Sequence, residues 1–185
     1  MSDTSTSAGA AVWRFLKEIV IILVVALGLS FLVRTFIVQA FYVPSQSMED
    51  TLIPNDRILA SKLSTRFGGV KRGEIVVFRD PGEWLDAAQK EPSGGVGGAL
   101  EWVGLLPSNT GDDLVKRVIG VGGDHVRCCS TDGRIVLNGV PLTEPYIKPG
   151  DTTDDVRFDV VVPEDRVFVM GDNRNASADS RYHLN

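Results

Sequence analysis

The chain has 185 residues, of which 43% are hydrophobic, and a formal net charge of −5 at pH 7. This length allows one ordinary domain plus a tail or an anchor. The negative charge, and the lack of a basic stripe with interleaved aromatic residues, argue against a nucleic-acid-binding protein. Two adjacent cysteines and two widely separated histidines do not give the ligand spacing of a zinc site, so we expect no metal and no other cofactor.

The N-terminal region predicts a tail followed by a membrane anchor. Residues 1–12 are small and polar, which is typical of a disordered segment. Ile19–Val33 carries no charge, and the apolar character resumes after Arg34 and continues to Val38. A bilayer span needs roughly 20 residues, which Ile19–Val38 supplies if Arg34 reaches the interface. We therefore predict a transmembrane anchor over residues 13–38.

A cleaved secretory signal is the alternative, with Arg14 and Lys17 as its basic region and Val38-Gln39-Ala40 as its cleavage site. The apolar stretch is long for such a signal, and Arg34 with further apolar residues follows it. Two basic residues precede the span and one closely follows it, which favours a cytoplasmic N-terminus. We expect a single-pass protein of the plasma or inner membrane, with residues 39–185 as an extracytoplasmic domain.

The segment after the anchor, Phe41–Leu52, holds two serines one residue apart, Ser45 and Ser47. Pro44 favours an extended Val43, which predicts a strand end followed by a turn that carries the serines. Ser47 lies nine residues beyond Val38, and nine extended residues reach at most about 30 Å, which keeps the turn near the membrane surface. The pattern is typical of a serine nucleophile on a turn, and also of a polar loop leaving a membrane helix.

The remaining chain has the pattern of a β domain. Alternating and β-branched runs predict strands at Arg57–Leu63, Glu74–Arg79, Leu114–Val121, Val126–Cys129, Arg134–Leu137, Asp155–Val162 and Arg166–Met170. Residues 82–112 show no clear period and predict a long, flexible surface insertion, with a short helical piece near Trp84–Gln89.

A serine nucleophile needs a base, and Lys116 interrupts an apolar strand. Burial between apolar neighbours lowers the pKa of a lysine and favours the neutral amine. Lys116 and Arg117 point to opposite faces of the strand, and the periodicity does not decide which of them faces inward. His125 and His183 are the other candidate bases. The polar run Gly171–Arg181 is either a surface loop or a buried network that positions the catalytic group.

Five segments occur together in one order: the anchor, PSQSMEDTL at 44–52, RGEIVVFRDP at 72–81, KRVIGVGGD at 116–124 and GDNRNASADSR at 171–181. In these motifs the chain resembles the type I signal peptidases, membrane-anchored serine proteases that remove signal peptides. The resemblance implies Ser47 as nucleophile, Lys116 as general base, and Ser45 with the Ser47 N–H as oxyanion hole.

The same resemblance implies that Ser177 orients the lysine and that Asp179 and Arg181 support the site. The residues that match the family's substrate pockets are Val43, Pro44, Met48, Leu114 and Val115. Those pockets take small side chains, the Ala-X-Ala pattern, in signal peptides of exported preproteins.

Two departures from the family pattern stand out. Asn175-Ala176 replaces the usual Asp-Asn, so that a supporting contact is either missing or replaced. Family members also continue with a further strand region where this chain ends at Asn185, so we expect a C-terminally shortened chain. The pair Cys128-Cys129 allows a vicinal disulfide, two thiols or an intermolecular link.

The sequence thus predicts a mainly β protein, with antiparallel sheets or a partly open barrel of the signal peptidase type behind one N-terminal transmembrane helix. The predicted activity is signal-peptide hydrolysis through a Ser47 acyl-enzyme, with the lipid bilayer as a second partner. The alternatives are another Ser-Lys peptidase, such as a self-cleaving repressor, and a non-enzymatic anchored β domain that binds partners.

Overall fold

The computed structural model describes residues 5–82, 84 and 113–184. It begins with helix α1, Ser5–Phe36. Within α1, the stretch Gly9–Val33 is long and apolar enough to cross a bilayer, and none of it is buried against the rest of the protein. Two boundaries differ from the prediction. Residues 5–12 are helical, in keeping with the high helix propensity of their alanines, and the helix ends at Phe36 rather than Val38.

The helices and strands that follow α1 are short. They are β1 (Val38–Tyr42), β2 (Arg57–Ser61), α2 (Lys62–Gly68), β3 (Ile75–Arg79), β4 (Asp113–Val121), β5 (His125–Cys128), β6 (Ile135–Leu137), β7 (Val140–Pro141), β8 (Phe158–Val161) and β9 (Val167–Met170). Three 3-10 turns also occur, at Gln46–Met48, Arg174–Ala176 and Ser180–Tyr182.

The described strands form three antiparallel sheets, in the orders β1-β2, β3-β4-β9 and β7-β6-β5-β8. The predicted mainly antiparallel β fold behind one N-terminal apolar helix is confirmed. Strand β4 is the centre of the three-stranded sheet, and the loop that follows β9 returns beneath it. This arrangement brings the middle of β4 close to the turn after β1.

The hydrophobic core lies between the four-stranded sheet and the adjoining ends of β4 and β9. Phe158 and Phe168 meet there with ring centroids 5.0 Å apart. The buried apolar side chains of this cluster are Ile119, Val126, Cys128, Ile135, Phe158, Val162, Phe168 and Met170. Both faces of β4 are covered, which explains why its sequence reads as a continuous apolar run.

Several predicted boundaries shift. Leu63 was expected in a strand but lies in α2, and the strand predicted over Asp155–Val162 is confined to Phe158–Val161. Apart from Trp84, the predicted helical piece at Trp84–Gln89 and most of the 82–112 insertion lie outside the described residues. Of the three states that the sequence left open for the cysteines, the structure contains a Cys128–Cys129 disulfide, across a cis peptide bond.

Candidate active site

Ser47 lies on the turn that follows β1. The strand ends at Tyr42, and Val43 beyond it is 2% exposed. Ser45 has extended backbone angles and caps the 3-10 turn Gln46–Met48, where its Oγ accepts a 3.5 Å hydrogen bond from the Ser47 N–H. The side chain of Ser47 is buried, with its Oγ 3.2 Å from the Oγ of Ser45. The turn therefore holds two hydroxyls side by side.

Lys116 lies in the middle of β4, opposite Val76 of β3, and is 2% exposed. Its Nζ is 2.6 Å from the Oγ of Ser47, a hydrogen bond that joins residues 69 positions apart in the chain. The question that the periodicity left open is thereby answered. Lys116 faces the serine turn, and Arg117 faces the other way, where it contacts Asp172 and the Gly73 carbonyl.

Burial lowers the pKa of Lys116 from 10.5 to about 8. The Asp179 carboxylate acts against this by favouring the ammonium, and the Arg181 guanidinium adds to it by repulsion. With a pKa of about 8, roughly one amine in ten is neutral at pH 7. A neutral amine in contact with a hydroxyl can accept its proton, which the usual surface lysine does not do at this pH.

A buried carboxylate, Asp179, organises the back of the site. It accepts hydrogen bonds from the Gly171 N–H at 3.0 Å and from the Ser177 hydroxyl at 2.8 Å. Arg181 donates to both of its oxygens, from Nε at 2.8 Å and from Nη2 at 3.0 Å. The hydroxyl of Ser177 thus donates to Asp179 and not to Lys116. Ser177 therefore belongs to the hydrogen-bond network around the Asp179 carboxylate.

Gly171 fills a space that no side chain fits. A Cβ built on it would lie 2.4 Å from the Ser47 carbonyl oxygen and 2.3 Å from the Ser177 Oγ, well inside van der Waals contact. The backbone at Gly171 is therefore wedged between the serine turn and the Asp179 network. Gly171 was not predicted as a site residue, and its signal in the sequence is a glycine directly after the apolar strand β9.

A second set of contacts ties the serine turn to the loop after β9. The Asn173 N–H donates to the Ser47 carbonyl at 3.1 Å, and Thr51 Oγ1 donates to Asp172 at 2.6 Å. Asp172 also accepts two bonds from Arg117, at 2.6 and 2.8 Å, and is fully buried. These residues were missed as well, because their role depends on contacts between distant parts of the chain.

The family model described as signal peptidase, peptidase S26, matches residues 14–184. This chain belongs to that family. A probable signal peptidase I of Mycobacterium leprae is 40% identical over 95% of this chain and 65% of its own length. Signal peptidase I of Mycobacterium tuberculosis is 40% identical over 91% of this chain and 63% of its own length. The chain thus spans less than two thirds of the length of these relatives.

A solved structure is also similar to this S26 family member. The crystal structure of a signal peptidase I from Enterococcus faecalis is 25% identical, with a TM-score of 0.38, and the match covers 60% of this chain and 84% of the other.

The residues predicted to line the substrate pockets of this S26 family member differ in exposure and in the strand face on which they lie. Val43, Met48, Leu114 and Val115 are all at most 3% exposed, whereas Pro44 is exposed. Leu114 shares the Lys116 face of β4, and Val115 lies on the opposite face with Arg117. Strand β9 pairs with β4 only from Arg117 onward. Among the described strands, Leu114 to Lys116 therefore pair with β3 and with no other strand.

Neither candidate histidine contacts Ser47. His125 is half-exposed on β5 and contacts Asp159 of β8. His183 stacks on Trp84, with the two rings 4.7 Å apart and nearly parallel. Over the described part of the chain, no three His, Cys, Asp or Glu side chains lie close enough to hold a metal ion.

Proposed function

We propose that this protein is a membrane-anchored serine endopeptidase that removes signal peptides from exported proteins, with Ser47 as nucleophile and Lys116 as general base. The observation that carries the proposal is the 2.6 Å contact between the Lys116 Nζ and the Ser47 Oγ in a buried site. Family membership supports the reaction class, and the lowered pKa of Lys116 supports its role as base.

The first half of the reaction forms an acyl-enzyme. The neutral Nζ of Lys116 takes the proton of Ser47 as the Oγ attacks the scissile carbonyl carbon. The tetrahedral intermediate then collapses, the C–N bond breaks, and the Lys116 ammonium returns its proton to the leaving amine. In the second half, Lys116 takes a proton from water, the hydroxide attacks the ester, and the Ser47 hydroxyl is regenerated with release of the signal peptide.

The negative charge on the intermediate requires hydrogen-bond donors beside Ser47. We assign this role to the Ser47 N–H and the Ser45 hydroxyl, which lie at the same turn. In the structure the Ser47 N–H points to the Ser45 Oγ at 3.5 Å, a weak bond that an oxyanion can replace. The Ser45 hydroxyl then turns to donate to the oxyanion.

The substrate lies in an extended conformation between the end of β1 and the start of β4. Backbone groups of Leu114 and Val115 bind it as an added strand. Met48, next to Ser47 in the chain, and Leu114, on the Lys116 face of β4, limit the space available to the residue before the cut, which favours small side chains and the Ala-X-Ala pattern. Asp179, Ser177 and Arg181 hold the lysine pocket in shape through the bonds described above.

The position of α1 completes the proposal. Its apolar stretch Gly9–Val33 anchors the protein in the bilayer, and Arg14 and Lys17 near its start favour a cytoplasmic N-terminus. The catalytic domain is then outside, directly above the membrane, where signal peptides of exported preproteins emerge. Only one residue, Ile37, separates the end of α1 from the start of β1.

The deciding experiment is cleavage of a preprotein with an Ala-X-Ala site by the full chain in detergent, for wild type, Ser47→Ala and Lys116→Ala. Matched controls are Ser64→Ala and Lys71→Ala, which remove an exposed serine and an exposed lysine. We expect cleavage by wild type and both controls and none by the two site variants. An active Ser47→Ala variant would exclude the nucleophile, and a fully active Lys116→Ala variant would reopen the choice of base.

A further inference from the structure

A groove of about 510 Å³ runs between α1 and the β1–β2 sheet. On the helix side it is lined by Ala26, Leu29, Ser30 and Val33. The spacing of these residues places them on one face of α1, since positions three, four and seven apart share a face. Ser30 is the one polar side chain of the lining, and its hydroxyl can bond within its own helix.

The sheet side of the groove is lined by Val38, Ala40 and Leu59. Val38 and Ala40 alternate along β1, and Ala40 is paired with Leu59 of β2, so that all three belong to one face of the sheet. Leu59 is 76% exposed, the highest exposure among the large hydrophobic side chains of the structure's described residues. The groove is thus apolar on both sides and open.

Strand β1 joins the groove to Ser47. Val38 and Ala40 line the groove, and the chain runs on from there through Val43 to the serine turn. Ser47 lies seven positions after Ala40, and an extended chain of seven residues spans at most about 25 Å. A peptide bound at Ser47 whose residues before the cleavage site run back along β1 enters the groove about seven positions before the cut.

We propose that this groove binds the apolar segment of the substrate's signal peptide, as a helix packed against α1. The inference rests on the proposed function and adds to it a docking site for the apolar segment that precedes the cleavage motif. A signal peptide carries its apolar segment before the cleavage motif, on the side that faces the groove. Ala26 and Ser30 are one turn apart, and small residues at this spacing allow close approach of a second helix.

The first test fills the groove with a larger side chain and compares two substrates. The variant Ala26→Leu adds volume inside the groove, and Gly28→Leu adds a side chain on the other face of α1, where a Cβ meets nothing within 4 Å. One substrate is a preprotein with its apolar segment, and the other is a short peptide with the same cleavage motif and no apolar segment. Both variants keep α1 apolar.

We expect Ala26→Leu to raise KM for the preprotein about tenfold, the loss of one well-packed contact, and to leave KM for the short peptide unchanged. Gly28→Leu should change neither value. Equal effects of Ala26→Leu on both substrates, or no effect on either, would overturn the inference while leaving the proposed function intact. If wild type cleaves neither substrate, the proposed function fails and the docking site with it.

A second measurement identifies the occupant directly. A photoreactive residue replaces Leu59 in a Ser47→Ala background, so that the bound preprotein is not cleaved, and the same residue replaces Val24 as a control on the other face of α1. The inference expects a cross-link from position 59 to the apolar segment of the signal and none from position 24. Cross-links to lipid alone, or to a second copy of this chain alone, would overturn it.

Discussion

A buried lysine in contact with a serine hydroxyl is the residue-scale feature on which the proposed chemistry depends. Lys116 is enclosed because the face of β4 that carries it is covered by the serine turn and by the loop after β9. Desolvation of the ammonium is the main cause of its lowered pKa, and the nearby charges of Asp179 and Arg181 act in opposite directions. The base is therefore produced by packing more than by any one neighbouring charge.

The pH dependence of activity follows from the pKa of Lys116. Since only the neutral amine accepts the serine proton, kcat/KM should rise with pH and level off above a pKa of about 8. At pH 6 roughly one amine in a hundred is neutral, so the rate should be about a hundredfold below the plateau. Steady-state rates on a peptide substrate from pH 5.5 to 9.5 test this. A midpoint near 6.5 would instead point to a histidine base.

The same pKa predicts a cost to stability. The folded-state pKa of Lys116, about 8, is below the ordinary lysine value of 10.5, so the buried ammonium destabilises the folded protein most at pH below 8. The difference corresponds to roughly 3 kcal/mol. Lys116→Met should be inactive yet unfold at a higher temperature at pH 7, and this gain should fade between pH 8 and 10.5. A Met variant that is less stable at pH 7 would contradict it.

At the scale of elements, the site is the place where the β1 turn, strand β4 and the loop after β9 meet. Gly171 sets how closely the loop approaches the turn. Gly171→Ala should abolish most activity and lower the free energy of unfolding by about 1–3 kcal/mol, because the added methyl overlaps the Ser47 carbonyl and Ser177.

Thermal unfolding and peptide cleavage measure the two effects of Gly171→Ala. Gly68→Ala is the matched control, since a Cβ there meets nothing within 4 Å and the backbone is helical. It should keep full activity. An active and stable Gly171→Ala protein would show that the loop has room to move away.

The ion pair between Arg117 and Asp172 connects β4 to the same loop. Asp172→Asn leaves a guanidinium that is 12% exposed without its carboxylate, and we expect a loss of about 3–5 kcal/mol of stability in urea unfolding. The Arg134–Asp132 pair offers a comparison, because both of its side chains are about half exposed. Asp132→Asn should change stability little. Similar losses in the two variants would contradict this.

Sequence patterns predicted the strands around this junction well. Strands β3, β4, β5, β6 and β9 each lie within one residue of the predicted start and end, because each is a compact β-branched run bounded by turn residues. The pattern could not predict whether Lys116 or Arg117 faces the serine turn, because both faces of β4 are buried and its residues do not alternate between apolar and polar. The same holds for Gly171 and Asp172, whose surroundings are built from segments far away in the chain.

At the scale of the whole molecule, α1 and the β domain are joined with almost no linker. We expect the protein to stay with membranes after extraction at alkaline pH, which removes peripheral proteins. A double variant, Ile21→Arg with Ile22→Arg, places two charges near the centre of Gly9–Val33, each costing about 2.5–3.5 kcal/mol, and should be released. Ile21→Leu is the control. Release of the wild type would contradict membrane anchoring by α1.

The order in which the site's parts occur along the chain has a consequence for biosynthesis. The Ser47 turn is made early, Lys116 comes 69 residues later, and the Gly171–Arg181 loop closes the pocket last. Translation therefore has to pass Arg181 before the lysine is enclosed and its pKa falls to about 8. Under the proposed mechanism, activity therefore appears only after strand β9 and the loop that follows it have folded.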